Sequence, residues 1–280
     1  MKTIVITGCS SGFGRATAFY LAERGWRVLA TVRTEADRAD LLAQATAKGW
    51  QDRLIPVVCD ITRRDHVEQL QRTLAEHTAA LDALLNNAGT SYPGPLEIIP
   101  LDDVRAQIEV NLIGQLAVTQ ALLPSVKAAR GLILIVSSVG GRITFPANGA
   151  YHMTKYALEA MSDVLRVELA PSGVKVVVLE PGSGATAIWG TSGERARGSP
   201  MVERAGAYAP LIAALERESA REARGGFPPE LFARTVAGIL NSRRPLTRYP
   251  IPRSAGWTML VRRLLPDRTW DWLQRRVLKW

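Results

Sequence analysis

The chain has 280 residues, 47% hydrophobic and 22% charged, the balance of a folded globular protein rather than of a disordered one. Two cysteines, Cys9 and Cys59, and three scattered histidines, His66, His77 and His152, exclude a disulfide framework and argue against a metal site. The net charge is +9, but ten of the 35 Lys and Arg and only two of the 26 Asp and Glu fall in residues 243–280, which leaves 25 basic against 24 acidic residues before them, so the basic excess belongs to the end of the chain.

Residues 3–7 form an apolar run that begins directly after Met1 and Lys2. This leaves no room for a leader, and no later run reaches the roughly 18–20 apolar residues of a membrane-spanning helix; the expectation is a cytoplasmic protein. The run stops at Gly8-Cys9-Ser10-Ser11-Gly12-Phe13-Gly14, and good helix formers follow to residue 22. Strand, glycine turn and helix in that order let the backbone approach a pyrophosphate, whose charge the helix amides then meet. Cys9, inside the turn, reads as a small filler.

Strands are predicted over 27–32, 54–59, 82–86, 131–136 and 174–180, alternating with helices over 35–47, 64–77, 101–126 and 151–169. Six apolar strands separated by helices predict one doubly wound, Rossmann-type parallel sheet with helices on both faces, an α/β fold. Residues 183–226 are polar and rich in Gly, Ala, Arg and Glu, and read as a substrate cover. A helix from Pro228 to Leu240 and a strand over 246–251 complete a body of residues 1–252. Residues 253–280 read as an amphipathic basic extension.

Functional side chains gather at predicted strand ends, the edge where open α/β sheets bind ligands. Asp60 follows the third strand, where its carboxylate can accept from an adenine amine. Asn86-Asn87-Ala88-Gly89 ends the fourth. The second strand ends at Thr31-Val32-Arg33, with a guanidinium where a carboxylate would repel a 2′-phosphate. NADP(H) is therefore expected in preference to NAD(H). Arg15 is either a second such contact or a solvated helix residue. Tyr151 and Lys155 are four apart on one helix and share a face, and the cation favours the phenolate of its neighbour, a general acid and base. Ser138 closes the fifth strand. His152 reads as a surface or packing residue, because adjacent helical side chains diverge.

Taken together, Thr7-Gly8-x-x-x-Gly12-x-Gly14, Asn86-Asn87-Ala88-Gly89, Asn111, Ser138, Tyr151-x-x-x-Lys155 and Pro181-Gly182 resemble the short-chain dehydrogenase/reductase family in order and spacing over residues 3–186. The resemblance implies hydride transfer between a nicotinamide cofactor and a carbonyl, with Ser138 polarising the carbonyl, Tyr151 donating the proton, Lys155 lowering its pKa and holding the ribose, and Asn111 holding a water. It further implies cofactor contacts from Ser10, Ser11, Phe13, Ile61, Asn87, Ala88, Gly89, Pro181, Gly182 and Thr186. Gly184 departs from the Val or Ile usual in that loop, so a looser loop is expected.

Tyr92, Gly140, Phe145, Ile188 and Trp189 are the candidate substrate-pocket residues. The length and extension resemble the hydroxysteroid and retinol dehydrogenase branch, which implies a bulky apolar ketone or secondary alcohol and a homodimer or homotetramer. The competing reading is a dinucleotide-binding or sensing protein without turnover. In the extension, Trp257, Leu260, Val261, Leu264 and Leu265 form one apolar stripe and Trp270, Leu273, Val277 and Trp280 another. Packing of both on the body or a second subunit is expected slightly ahead of peripheral contact with an anionic membrane. Nucleic acid is not an expected partner, since the basic residues share their segments with these stripes.

Overall fold

Alternate side chains of each central strand point to opposite sides of the sheet. In the computed structural model, which describes residues 1–185 and 188–278, both sides are buried. Ile4 and Ile6 of β1 (Thr3–Ile6) pack on one side with Leu21 of α1 (Gly12–Glu23) and Leu41 of α2 (Glu35–Ala47). Val5 packs on the other with Leu70 of α3 (Arg64–His77). Burying a side chain of this size contributes about 1.5–3 kcal/mol, so neither face of the sheet can be left to water.

The remaining strands are β2 (Arg27–Val32), β3 (Leu54–Val58), β4 (Ala83–Asn86), β5 (Leu132–Val136), β6 (Lys175–Pro181) and β7 (Arg248–Ile251). All pairings are parallel, in the order β3-β2-β1-β4-β5-β6-β7. The chain leaves β1 towards β2 on one side and later returns to add β4 on the other, so the order reverses at β1/β4 and opens a crevice there. The second face is completed by α5 (Gly114–Ala129) and α6 (Gly149–Glu168), the first by α9 (Pro229–Leu240).

One expectation is corrected. The helix predicted over 101–126 is α4 (Leu101–Ile108), a π-helical turn (Glu109–Ile113) and then α5. Asn111 lies buried in that turn, its amide bound to neighbouring elements, and π turns of this kind commonly accompany functional sites. The extension forms α10 (Ala255–Leu264) and α11 (Asp267–Leu278). Trp270 of α11 is buried on the body, whereas Val277 of α11 and Trp257, Leu260, Val261 and Leu264 of α10 are exposed on the single chain. The body-facing side of α10 is instead the one carrying Ala255, Met259 and Arg262. Trp280 lies outside the described residues. The cover contains α7 (Ile188–Gly198) and α8 (Ala209–Gly225).

Candidate active site

The carboxyl ends of the strands open into a cavity of about 1870 Å³, well above the ~300–1,000 Å³ of a drug-sized pocket. Gly8, Ser10, Ser11, Gly12 and Phe13 line one end. Gly8 (φ 73°) and Gly12 (φ 57°) are left-handed, a conformation that L side chains adopt only at a cost. A Cβ on Gly8 would also lie 2.9 Å from the Ala88 Cα. Gly14 does not line the cavity: it lies against the Gly8 carbonyl, and a Cβ there would meet the Asn87 amide at 2.5 Å. Close packing of α1 on the turn after β1 and on Asn87 after β4, rather than ligand contact, explains that glycine. The first turn of α1 carries no acidic residue and no side-chain cap, so its amides suit an anion.

Thr7 and Asn87 hold this turn. The Thr7 hydroxyl accepts from the Asn87 and Ala88 amides, both at 2.9 Å, and Asn87 Nδ2 donates to the Thr7 and Gly8 carbonyls at 2.8 and 3.0 Å. The Asn87 side chain is thereby committed to the protein. Ala88 and Gly89 line the cavity beside it.

At the β2 end, Arg33 is exposed and lines the cavity, as do Asp60 and Ile61 beyond β3. One Asp60 oxygen accepts from the Thr62 amide and hydroxyl, at 3.0 and 2.8 Å, and the Asp60 amide donates to His66 Nδ1 at 3.0 Å. The Thr62 bonds and the positive charge of Arg33 hold its carboxyl below the usual range despite the opposing effect of burial. Arg15 is outside the cavity: it pairs with Asp40 at 2.7 Å and covers the Phe19 ring. Of its two readings, the second-contact one finds no support.

Ser138, Tyr151 and Lys155 meet at the cavity wall. Ser138 Oγ accepts from the Gly140 amide at 2.9 Å and donates to the Pro181 carbonyl at 3.3 Å. Burial raises the Tyr151 pKa, against a lowering pull from the Ser138 hydroxyl. Lys155 Nζ lies 5.5 Å from the Tyr151 ring centroid and donates to the Val136 carbonyl at 2.8 Å. Burial pulls the ammonium down to about 8, opposed by the charge of Glu159. The protein's own groups thus favour the protonated phenol, and the expectation that the Lys155 charge pulls Tyr151 down is not met by them alone.

Asn111 does not line the cavity. Its Oδ1 accepts from the Thr90 amide at 2.7 Å, and its Nδ2 donates to the Thr90 carbonyl and the Thr154 hydroxyl at 2.9 and 3.1 Å. Both its amide hydrogens are spent, so they are not available to a water. His152 is buried, not a surface residue. Its Nε2 accepts from the Phe145 amide at 3.0 Å, which leaves Nδ1 to donate to the Gly140 carbonyl at 2.8 Å. It ties down the 140–145 loop, and burial keeps its pKa below the ordinary histidine value.

Gly140 and Phe145 line the cavity, but Tyr92 does not; the guanidinium of Arg195 covers the Tyr92 ring at 4.4 Å and faces the cavity in its place. Arg195 also donates to the Thr90 hydroxyl and Ser91 carbonyl, stapling α7 to the loop after β4. Pro181, Gly182 and Gly184 line the cavity as well. Thr186 and the side chains of Ile188 and Trp189 lie outside the described residues. The loop at Gly184 is anchored: the Phe227 amide donates to the Ser183 carbonyl and the Ala185 amide to the Phe227 carbonyl, both at 3.0 Å. A Cβ on Gly184 would strike the Phe13 ring, so glycine there makes room for Phe13 rather than loosening the loop. Sequence reasoning gave no site role to Thr90, Thr154, His66 and Arg195, and named Thr7 only within the glycine motif and Trp270 only within a stripe of the tail. Thr7 has a local signal, a hydroxyl beside the first glycine, and His66, Thr90 and Thr154 lie within six positions of Asp60, Gly89 and Lys155; Arg195 and Trp270 reach the site from distant parts of the chain.

Residues 2–197 match the family described as short chain dehydrogenase. Retinol dehydrogenase 16 of Homo sapiens is 38% identical over 270 residues, covering 91% of this chain and 81% of that protein. YusZ, an uncharacterised oxidoreductase of Bacillus subtilis (strain 168), is 33% identical over 279 residues, 99% of this chain and 98% of its own. Among solved structures, an alcohol dehydrogenase from the archaeon Thermococcus sibiricus, complexed with 5-hydroxy-NADP, matches with a TM-score of 0.72 and 25% identity over 89% of this chain and 95% of that one.

Proposed function

Because the chain belongs to the short-chain dehydrogenase family and is an oxidoreductase, we propose that it interconverts a ketone and a secondary alcohol on a bulky apolar substrate, using NADP(H) in preference to NAD(H). The observation that carries this reading is the meeting of Ser138, Tyr151 and Lys155 on a cavity whose far end is an anion-accepting glycine turn. When bound, the nicotinamide dinucleotide supplies or accepts the hydride at the reacting carbon. The α1 amides and the turn from Gly8 to Gly12 hold the pyrophosphate, Arg33 the 2′-phosphate, and Asp60 and Ile61 the adenine. Gly89, Pro181, Gly182 and Gly184, which line the same cavity, would bound the nicotinamide side.

Ser138 Oγ would turn its one proton from the Pro181 carbonyl to the substrate carbonyl, and Tyr151 Oη gives its proton to the oxygen as the alcohol forms; solvent restores that proton. Lys155 contributes charge next to Tyr151. Asn111 acts by fixing the π turn against Thr90 and Thr154. The apolar side chains of Val139, Phe145, Met201, Trp270 and Leu273 along the same cavity support an apolar substrate. On this reading residues 1–252 are the catalytic body, 183–226 the cover and 253–280 an appended segment. Exposed Met153, Tyr156, Val164 and Val167 lie along one face of α6, which supports assembly of a homodimer or homotetramer through that helix.

The test is a panel of ketones and alcohols assayed with NADPH and NADH, repeated with Tyr151→Phe. Turnover is expected with apolar carbonyls, falling about 10²–10⁴-fold in the variant. Undiminished turnover by Tyr151→Phe would refute the acid/base assignment, and binding of NADPH with no turnover of any substrate would favour a sensing protein.

A further inference from the structure

The C-terminal helices carry two features that the proposed chemistry does not use. Trp257, Leu260, Val261 and Leu264 lie at i, i+3, i+4 and i+7 on α10, and all are exposed, Trp257 by 71% and Leu264 by 74%. Apolar stripes of this kind are normally buried. This one is held outward because the tail is fastened elsewhere: Trp270 is only 9% exposed, and the Arg262 guanidinium lies 5.7 Å from its ring centroid. The second feature is charge. Residues 253–278 contain six arginines against two aspartates, and Arg253, Arg263, Arg268, Arg275 and Arg276 are exposed.

We propose that α10 and α11 dock this protein onto an anionic phospholipid bilayer, with the α10 stripe among the acyl chains near the headgroups and the arginines on the phosphates. Indole rings favour the boundary between hydrocarbon and water, and each basic residue near an anionic surface adds to the attraction. A second copy of the chain suits the face poorly, because a two-fold contact sets the same arginines against each other. Nucleic acid would satisfy the arginines and leave the Trp and Leu side chains in water. Among the described residues no helix is long and apolar enough to cross a membrane, so the contact lies on the bilayer surface.

The docking face adjoins the cavity. Ala255 and Thr258 of α10 and Trp270, Leu273 and Val277 of α11 line it, and Val277 is 79% exposed. The cavity wall therefore runs out into the apolar surface, and a substrate dissolved in the bilayer enters without crossing water. This entry route rests on the oxidoreductase reading; the docking itself does not.

The test is co-sedimentation of the full-length protein with vesicles of phosphatidylcholine alone and of phosphatidylcholine mixed with phosphatidylserine, at low and high salt. Two variants accompany it, Trp257→Glu with Leu264→Glu, and Arg263→Glu with Arg275→Glu; a circular-dichroism spectrum and urea midpoint like the wild type's establish that each is folded. The wild type is expected to pellet with the anionic vesicles and to lose at least tenfold in partitioning in either variant, in high salt and on phosphatidylcholine alone. Failure of the wild type to pellet, equal pelleting on neutral vesicles, or variants that pellet as well as the wild type would each overturn the proposal. So would a wild-type dimer dissolved by Trp257→Glu in the absence of vesicle binding, which would make a second copy the occupant. No turnover is read in these assays, so an inactive protein that still pellets rejects the enzymatic reading and leaves the docking intact.

Discussion

At the residue scale the proposed preference for NADP(H) rests on Arg33, because Arg15 is committed to Asp40 while Arg33 stands exposed at the cavity. Arg33→Glu is expected to raise KM for NADPH at least tenfold with little change for NADH, measured by initial rates with either cofactor; parallel changes for both would remove Arg33 from that role. Glu180, two residues before Gly182, is buried where Arg142 and Arg248 approach no closer than 3.7 and 3.8 Å. Burial, then the charge of Glu159, raises its carboxyl to about 7. The folded state therefore binds this proton more tightly than the unfolded state, and stability falls as pH rises from about 4.5 through about 7, by about 3 kcal/mol. Lys155 has the opposite sign in a separate window: its folded pKa, about 8, is depressed, so stability rises with pH above that value. Urea midpoints at about pH 5 and pH 8 are expected to differ less in Glu180→Gln than in the wild type.

Between elements, the informative contact joins the loop after β6 to the start of α1. Phe13 stacks on Phe232 with centroids 4.4 Å apart and on Phe227 at 5.3 Å, each with planes 10° apart. A ring held on two sides cannot yield to a Cβ on Gly184. Gly184→Val is expected to destabilise by about 1–3 kcal/mol through overpacking, and Phe13→Ile in the same chain to recover most of it. Additive losses in the urea midpoints of the single and double variants would separate the two positions. The glycine that reads as a departure from the family pattern is thus half of a pair whose other half lies over 170 positions earlier in the chain.

For the whole molecule, the exposed stripe on α6 and the exposed stripe on α10 make separate predictions. If the α6 face joins subunits, Val164→Glu with Val167→Glu is expected to halve the sedimenting mass without lowering the urea midpoint, since both side chains are exposed. A wild type that sediments as a monomer would reject assembly through α6. Variants on α10 should leave that mass unchanged.

The residues of the sequence determine the parallel α/β sheet, through continuous apolar strands alternating with helices, and the local motifs, through spacing along single elements: the glycine turn after β1 and the Tyr151 and Lys155 pair one helical turn apart. These are short-range properties of the chain. Tertiary structure decides what depends on approach between distant segments: that Tyr92 lies beneath Arg195, that the Asn111 amide is spent on Thr90 and Thr154, and that burial raises the Tyr151 pKa. It also decides which apolar stripe of the tail meets the body. A helical period specifies that a face is apolar, but the neighbour it meets is specified by all the other elements together, because burial and desolvation are properties of the packed whole.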